Sequence, residues 1–283
     1  MQRIGVIGGS GLYQIEGVNI KERKNLTTPF GAPSDAYLIG EFKGKEIVFL
    51  PRHGVGHRLL PSEINYRANI YGFKVLGVEW IISVSAVGSL KEDIHPLEVV
   101  IPDQFFDRTK GRISTFFGEG IVAHIGFRDP VCPVLSQILY EASEAEGARV
   151  HKGGTYVNIE GPSFSTLAES NFYRGLGMDI IGMTNLTEAK LAREAEICYA
   201  TLAMVTDYDV WKEEDVDIQT VVENLSRNAE LAKRIIGRAV EKIPVQRKCI
   251  CSRALKDAII TDPSLIPEEI KEKLRPLIGK YIE

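Results

Sequence analysis

Histidine, cysteine and tryptophan are scarce in this 283-residue chain, which has five, four and two of them. No apolar stretch is long enough to cross a bilayer, so a membrane-spanning protein is not expected. There is no run of lysine or arginine, and the net charge is −4, so nucleic acid is not an expected partner. None of Cys132, Cys198, Cys249 and Cys251 has histidines beside it at zinc-ligand spacing, so no metal is expected. In a mesophilic cytosolic protein these would be four buried or incidental thiols. Asn and Gln are also few beside abundant Lys, Arg and Glu, a balance found in hyperthermophiles. Cytoplasmic disulfides do occur there, which makes Cys132–Cys198 and Cys249–Cys251 candidate pairs. The opening MQRIGVIGGSG enters a strand pattern at once, so no signal peptide is expected and a cytoplasmic location follows by default.

What is present suits an ordinary globular protein, 44% apolar and 25% charged. Short apolar runs alternate with amphipathic ones. Residues 3–8, 46–50, 80–87, 99–101, 155–160, 179–183 and 198–207 read as strands. Several are apolar on successive residues, as in a sheet covered on both faces. Helical spacing appears over 62–76, 133–146, 165–176, 186–194 and 218–243, the last with one apolar face from Ile218 to Ile243. An α/β fold follows: one domain over residues 1–244, with a mixed central sheet flanked by helices. Residues 245–283 change character, with a C-x-C, a Pro-punctuated charged helix over 268–274 and an apolar end. They read as an appendage packed on the domain or at a subunit interface.

Chemistry-bearing residues cluster at strand ends, where α/β sheets bind ligands. Gly8-Gly9-Ser10-Gly11 follows the first strand and offers backbone N–H groups and a hydroxyl to an anion, though a plain tight turn fits too. Pro51-Arg52-His53-Gly54 follows another strand, and its Arg52 fork and His53 suit phosphate. His57 is four residues on, but Gly54 and Gly56 oppose the helix that a metal pair would need. Ser83 to Ser89 runs into small residues and hydroxyls, which admit a ligand close to the backbone, although taken alone a simple strand-to-turn transition is the commoner reading. Asn158 to Ser165 ends a strand at Glu160, with Ser163 or Ser165 as helix cap and Phe164 either core or a platform for a planar base. Thr184 or Asn185 can cap the next helix, with Glu188 completing a capping box. Asp207 and Asp209 are two apart at a strand end, suited to acid–base work, a metal, or recognition of N–H donors.

Taken in order, GGSGL, RHGxxH, SAVGS, NIEGPSFS, MTN and TDYD resemble the methylthioadenosine phosphorylase branch of the trimeric purine nucleoside phosphorylase family, over most of residues 3–243. The C-x-C and the composition are similar to archaeal members. The resemblance implies the nucleoside phosphorylase fold and cleavage of 5′-methylthioadenosine by phosphate, giving adenine and 5-methylthioribose-1-phosphate. Phosphate would then be held by Ser10, Arg52, His53, Ser85, Ala86 (through its N–H) and Thr184. Met183 would lie under the ribose. Phe164, Ser165, Asp207, Tyr208 and Asp209 would contact the nucleoside, with Asp207 as the catalytic group at N7. Ile218 and Val222, which could equally be helix core, would line the methylthio pocket, with His124 from a neighbouring subunit and His57 near the 5′ end. The family also implies a homotrimer or a homohexamer of two trimers, and phosphate as co-substrate with no metal or organic cofactor.

The chemistry is coherent with that reading. Cleavage leaves negative charge on the purine and positive charge on the ribosyl group, so phosphate beside C1′ stabilises the cation and then attacks it. An ionised Asp accepts from a 6-amino group and repels a 6-oxo group, which favours 6-aminopurines. The rival within this chemistry is a broader phosphorylase acting on adenosine, inosine or guanosine. A nicotinamide oxidoreductase is disfavoured because Tyr13 stands where its third glycine belongs. A non-catalytic nucleoside-binding protein would need neither the phosphate donors nor the acid.

Overall fold

In a computed structural model, the described residues are 2–9, 12, 15–212 and 218–282. The longest strand, β5 (Val78–Ser89), is buried along nearly all its length and forms the hub of the sheet. Parallel to it run β1 (Arg3–Gly8) and β11 (Cys198–Asp207), one on each side. Beyond β1 come β4 (Lys45–Pro51), β3 (Tyr37–Phe42) and the edge strand β2 (Asn19–Lys24). β10 (Ile180–Gly182) pairs antiparallel with the last residues of β5, and β9 (Thr155–Ile159) and β7 (Gln104–Arg108) extend the sheet from there. β6 (Val99–Ile101) and β8 (Val150–Lys152) join beyond β11.

Side-chain alternation along these strands feeds two cores. On one face Ile4, Val6, Trp80, Ile82, Ala200 and Leu202 pack with α2 (Pro133–Ala145) and α5 (Ile218–Lys242). On the other, Ile7, Val48, Ile81 and Tyr199 meet α1 (Tyr66–Val75), α4 (Asn185–Glu194) and α6 (Glu268–Ile282). The remaining helix, α3 (Leu167–Gly175), sits beside the short 3₁₀ turn Asp209–Trp211. This is the mixed α/β sheet, covered on both faces, that the apolar runs implied.

Local chemistry moves several expected boundaries. α1 begins at Tyr66 rather than 62, because the Asn65 side chain accepts from Ala68 N–H and caps it. α3 is capped by Thr166, in a reciprocal capping box with Glu169, and not by Ser163 or Ser165. α6 runs on through Pro276 to Ile282, past the expected stop at 274, because Leu274, Leu277 and Ile278 are buried against the core around α1. Residues 245–282 are tied down further by Tyr281 and Lys280, which both bond the buried Glu196.

The cysteines depart from expectation. All four are free, so the Cys132–Cys198 and Cys249–Cys251 bonds are not formed. Instead the fold brings the four sulfur atoms together, all within 4.8 Å of one another. Zinc-ligand spacing with neighbouring histidines is absent, and the cluster forms instead from three distant segments, Cys132, Cys198 and the C-x-C of Cys249 and Cys251.

Candidate active site

β5 outruns β1. It pairs with β1 up to Ser83 and with β10 only from Gly88, so among the described residues 84–87 have no strand partner on that edge. The Val84 carbonyl there accepts from Arg52 Nη1 at 2.9 Å. Backbone groups two residues apart point the same way in a strand, so the N–H of exposed Ala86 is directed into the same gap. β1 ends in the gap at Gly8, whose carbonyl accepts from Arg52 N–H. A side chain on Gly8 would press on the Leu12 side chain and come within 3.2 Å of Val84, so glycine eases the close approach of β1 to β5.

Arg52 is almost fully buried, and its fork does not point into open space. Nε donates to Glu188 Oε1 at 2.5 Å and Nη2 to Oε2 at 3.0 Å, and Nη2 also reaches Ser83 Oγ at 2.6 Å. Burial works against the Arg52 charge, but Glu188 holds the guanidinium above its ordinary value. The expected bidentate grip of Arg52 on phosphate is therefore spent inside the protein. What it offers an anion is positive charge and the hydrogen on Nη1 not used by Val84. The expected role of Glu188 is corrected as well: rather than closing a capping box for α4, it forms this pair. Thr184 is the N-cap of α4 but makes no capping hydrogen bond, and its hydroxyl donates to Asn185 Oδ1 at 3.1 Å. Asn185 in turn donates to Ser83, Tyr199 and Thr201, a fully buried bracket. Ser85 Oγ lies 3.1 Å from the Tyr156 hydroxyl, which also reaches Asn185.

His53 is half-buried, its Nδ1 2.8 Å from the Leu59 carbonyl. Burial pushes its imidazole down to about 4, and Arg52 and His57 push the same way. His53 is thus neutral at pH 7, its proton on Nδ1 facing Leu59 and its Nε2 an acceptor. The sequence suggested a second donor beside Arg52. Nε2 suits instead the protonated oxygen of a phosphate monoanion or dianion. His57 stacks on His53 with ring centroids 4.1 Å apart, in a turn with positive φ at Gly54, Gly56 and His57 rather than on a helix.

The carboxylates meet around Gly88. A Cβ built there would lie 3.2 Å from Asp207 Oδ2, 3.3 Å from Asp209 Cβ and 3.1 Å from Ile181. They converge by a turn and not by strand alternation. β11 ends at Asp207, and Asp209 takes φ of 33° as the 3₁₀ turn begins. Asp207 accepts from Thr206 Oγ1 at 2.5 Å and from Asp209 N–H at 3.1 Å. Asp209 accepts from Ser170 Oγ on α3 at 2.5 Å. Burial pushes the Asp207 carboxyl up, with the Asp209 charge adding to it, and burial raises Asp209 too. From α5, Asn224 and Asn228 donate to the Thr206 and Val205 carbonyls and hold the end of β11 in place.

Met183 lies against Gly161, where a Cβ would come within 2.6 Å of its sulfur. Arg112, which sequence reasoning did not single out, locks this corner, donating to the carbonyls of Met183 and Glu160, both at 2.5 Å, and to the Glu160 carboxylate at 3.0 Å. Ser165 is buried, with no partner for its hydroxyl, next to an exposed Phe164. Tyr208 turns away from the carboxylates, edge-on to Trp211 and near His95, with Lys212 over its ring. His124 is exposed, on a loop whose backbone bonds Ala258. Ser10 lies outside the described residues, as do the side chains of Ile218 and Val222 at the start of α5.

Comparison with known proteins places this geometry. The model of the phosphorylase superfamily matches residues 3–241. The S-methyl-5′-thioadenosine phosphorylase of Koribacter versatilis is 59% identical over 98% of this chain and 96% of its own. That of Geobacter sulfurreducens is 58% identical over 99% of each. Among solved structures, a methylthioadenosine phosphorylase from an antarctic soil metagenomic library superposes with a TM-score of 0.94, at 50% identity over 98% of both chains. The methylthioadenosine phosphorylase of Schistosoma mansoni, in complex with tubercidin, gives 0.83 at 35% identity over 91% of this chain and 97% of that one. The chain belongs to the phosphorylase superfamily and, within it, to the S-methyl-5′-thioadenosine phosphorylase family.

Proposed function

We propose that this protein cleaves S-methyl-5′-thioadenosine with phosphate, releasing adenine and 5-methylthioribose-1-phosphate. The observation that carries the reading is the pair Asp207 and Asp209 around Gly88, both carboxyls raised by burial. A carboxyl that keeps its proton to higher pH can share it with N7 of the departing purine. Its partner can accept from the 6-amino group, an edge that a 6-oxopurine lacks. Phosphate is the co-substrate, received by Ser10, the Ala86 N–H, Ser85, Thr184, His53 Nε2 and the charge of Arg52. No other cofactor enters this scheme. Met183 supports the ribose, and Phe164 and Ser165 flank the base.

The unpartnered Ser165 hydroxyl supports a polar ligand edge beside it, since a buried hydroxyl without a partner is costly. The exposed His124 and the first turns of α5 are the methylthio contacts of this reading, with His124 supplied across a subunit boundary in a homotrimer or a hexamer of two trimers. A cytoplasmic location suits an enzyme whose substrates are small metabolites. Among the described residues no helix is long and apolar enough to cross a membrane.

The test is kcat/KM, at saturating phosphate, for methylthioadenosine, adenosine and inosine. Methylthioadenosine should lead adenosine by at least about tenfold, the value of one extra apolar group in a pocket. Inosine should trail both. Equal values for inosine would favour the broader purine nucleoside phosphorylase.

A further inference from the structure

The four cysteines meet at the end of β11 opposite Asp207, outside the site above. Cys132 is the N-cap residue of α2, and Cys198 is the first residue of β11. Cys132 N–H bonds the carbonyl of Tyr199, which locks those two elements together. Cys249 and Cys251 come from the tail, at the start of the 3₁₀ turn Ile250–Arg253. Three of the thiols are buried and Cys249 is half-buried. Their sulfurs all lie within 4.8 Å of one another.

We propose that these four cysteines form a tetrathiolate site for a single zinc ion. Four sulfurs placed about 2.3 Å from one ion at tetrahedral corners are about 3.8 Å apart, so a cluster with one contact at 3.3 Å and all four sulfurs within 4.8 Å needs shifts of about an ångström or less. Two disulfides explain the arrangement less well. All four sulfurs are mutually close, with Cys198 and Cys249 3.3 Å apart, so no exclusive pairing is marked out, as expected for ligands arranged round one central ion. A set of sulfur ligands alone suits zinc over magnesium, calcium or manganese. On binding, the four thiols release four protons and the ion takes four sulfur bonds. The resulting negative charge faces the N-terminus of α2, whose free N–H groups favour it.

With four protein ligands the site is closed and has no position for substrate, so it is structural. It staples residues 245–282 to the start of β11, whose far end carries the carboxylates. The C-x-C supplies two of the ligands from one short turn, which is a use for this motif that the reaction does not require.

The test is the metal content of full-length protein purified under reduction, without chelator, from zinc-supplemented cells. About one zinc per chain is expected, released when an organomercurial titrates the thiols. The double variant Cys249→Ser/Cys251→Ser should bind at least tenfold less and unfold at lower temperature. Should that variant not fold, cobalt loading of the wild type replaces it: thiolate-to-cobalt charge-transfer absorption supports the site. Protein without zinc and with four freely titrating thiols overturns the proposal. So does an intact mass lower by two or four hydrogens, which shows disulfides.

Discussion

Arg52 and Glu188, 136 residues apart, form a bidentate ion pair buried from solvent on both sides. Removing one member of such a pair leaves an uncompensated charge in the interior, which costs about 3–5 kcal/mol. Glu188→Ala should therefore lower the unfolding free energy measured in urea by that much. Arg52→Lys keeps the charge but loses the fork that bonds Glu188, Ser83 and Val84. It should raise KM for phosphate while also lowering stability. Unchanged stability in both variants would show that the pair is not formed.

His53 acts as a neutral acceptor rather than a cation. In His53→Asn the amide keeps the donor to the Leu59 carbonyl but loses the acceptor at Nε2. The expected result is a KM for phosphate raised about tenfold, one hydrogen bond's worth, with little change in KM for the nucleoside. Titration by NMR should find the imidazole neutral down to about pH 4. An imidazole that protonates near pH 6.5 would contradict this role.

Glu194 sets a pH dependence of stability that has nothing to do with the reaction. It accepts from Phe116 N–H and the Thr115 hydroxyl, and burial pushes its carboxyl from 4.5 up to about 7. The folded state then binds a proton more readily than the unfolded one, so stability falls as pH rises from about 4.5 to about 7 and is flat above. The contribution of this group is on the order of a few kcal/mol. Urea midpoints at pH 5 and 8 should differ less in Glu194→Gln than in the wild type.

Gly88 keeps the two carboxylates apart from β5. In Gly88→Ala the new methyl meets Ile181, Asp207 and Asp209 at 3.1–3.3 Å, and none of the three is a free surface side chain. Overpacking of this kind costs about 1–3 kcal/mol. The variant should lose affinity for the nucleoside at least tenfold while its KM for phosphate stays within about twofold, since the anion donors lie elsewhere on β5.

Asp207→Asn removes the acid while keeping the shape. A general acid of this kind contributes about 10²–10⁴-fold, so kcat/KM for methylthioadenosine should fall in that range. Because burial raises the Asp207 carboxyl, wild-type activity should decline as pH rises through its shifted value, and the Asn variant should lack that limb. Equal or higher kcat/KM in the variant would refute the assignment.

The buried centre of this fold could be read from its sequence because several of its strands are apolar on successive residues. β2, with sequence NIKERK, could not be: as an edge strand in water it carries charge in place of an apolar pattern. β7 and β8 escaped as edge strands too, β7 mostly exposed and β8 only half-buried. At the site, motifs at strand ends pointed to Arg52, Ser85, Thr184 and Asp207 because strand ends are where such sheets bind ligands. Arg112 and Glu188 could not be found that way. Each acts on residues more than forty positions distant, and the local signal at Glu188, a capping-box spacing, pointed to a different partner. The cysteine cluster was hidden likewise, since its four members come close only after β11, α2 and the tail have packed.

Phosphate dependence tests the central claim most directly. Purified protein is given methylthioadenosine with and without inorganic phosphate, and adenine and the sugar product are followed by chromatography and mass. The account predicts adenine and 5-methylthioribose-1-phosphate in equal amounts, and neither when phosphate is left out. Adenine released at the same rate without phosphate, with free 5-methylthioribose beside it, would contradict it.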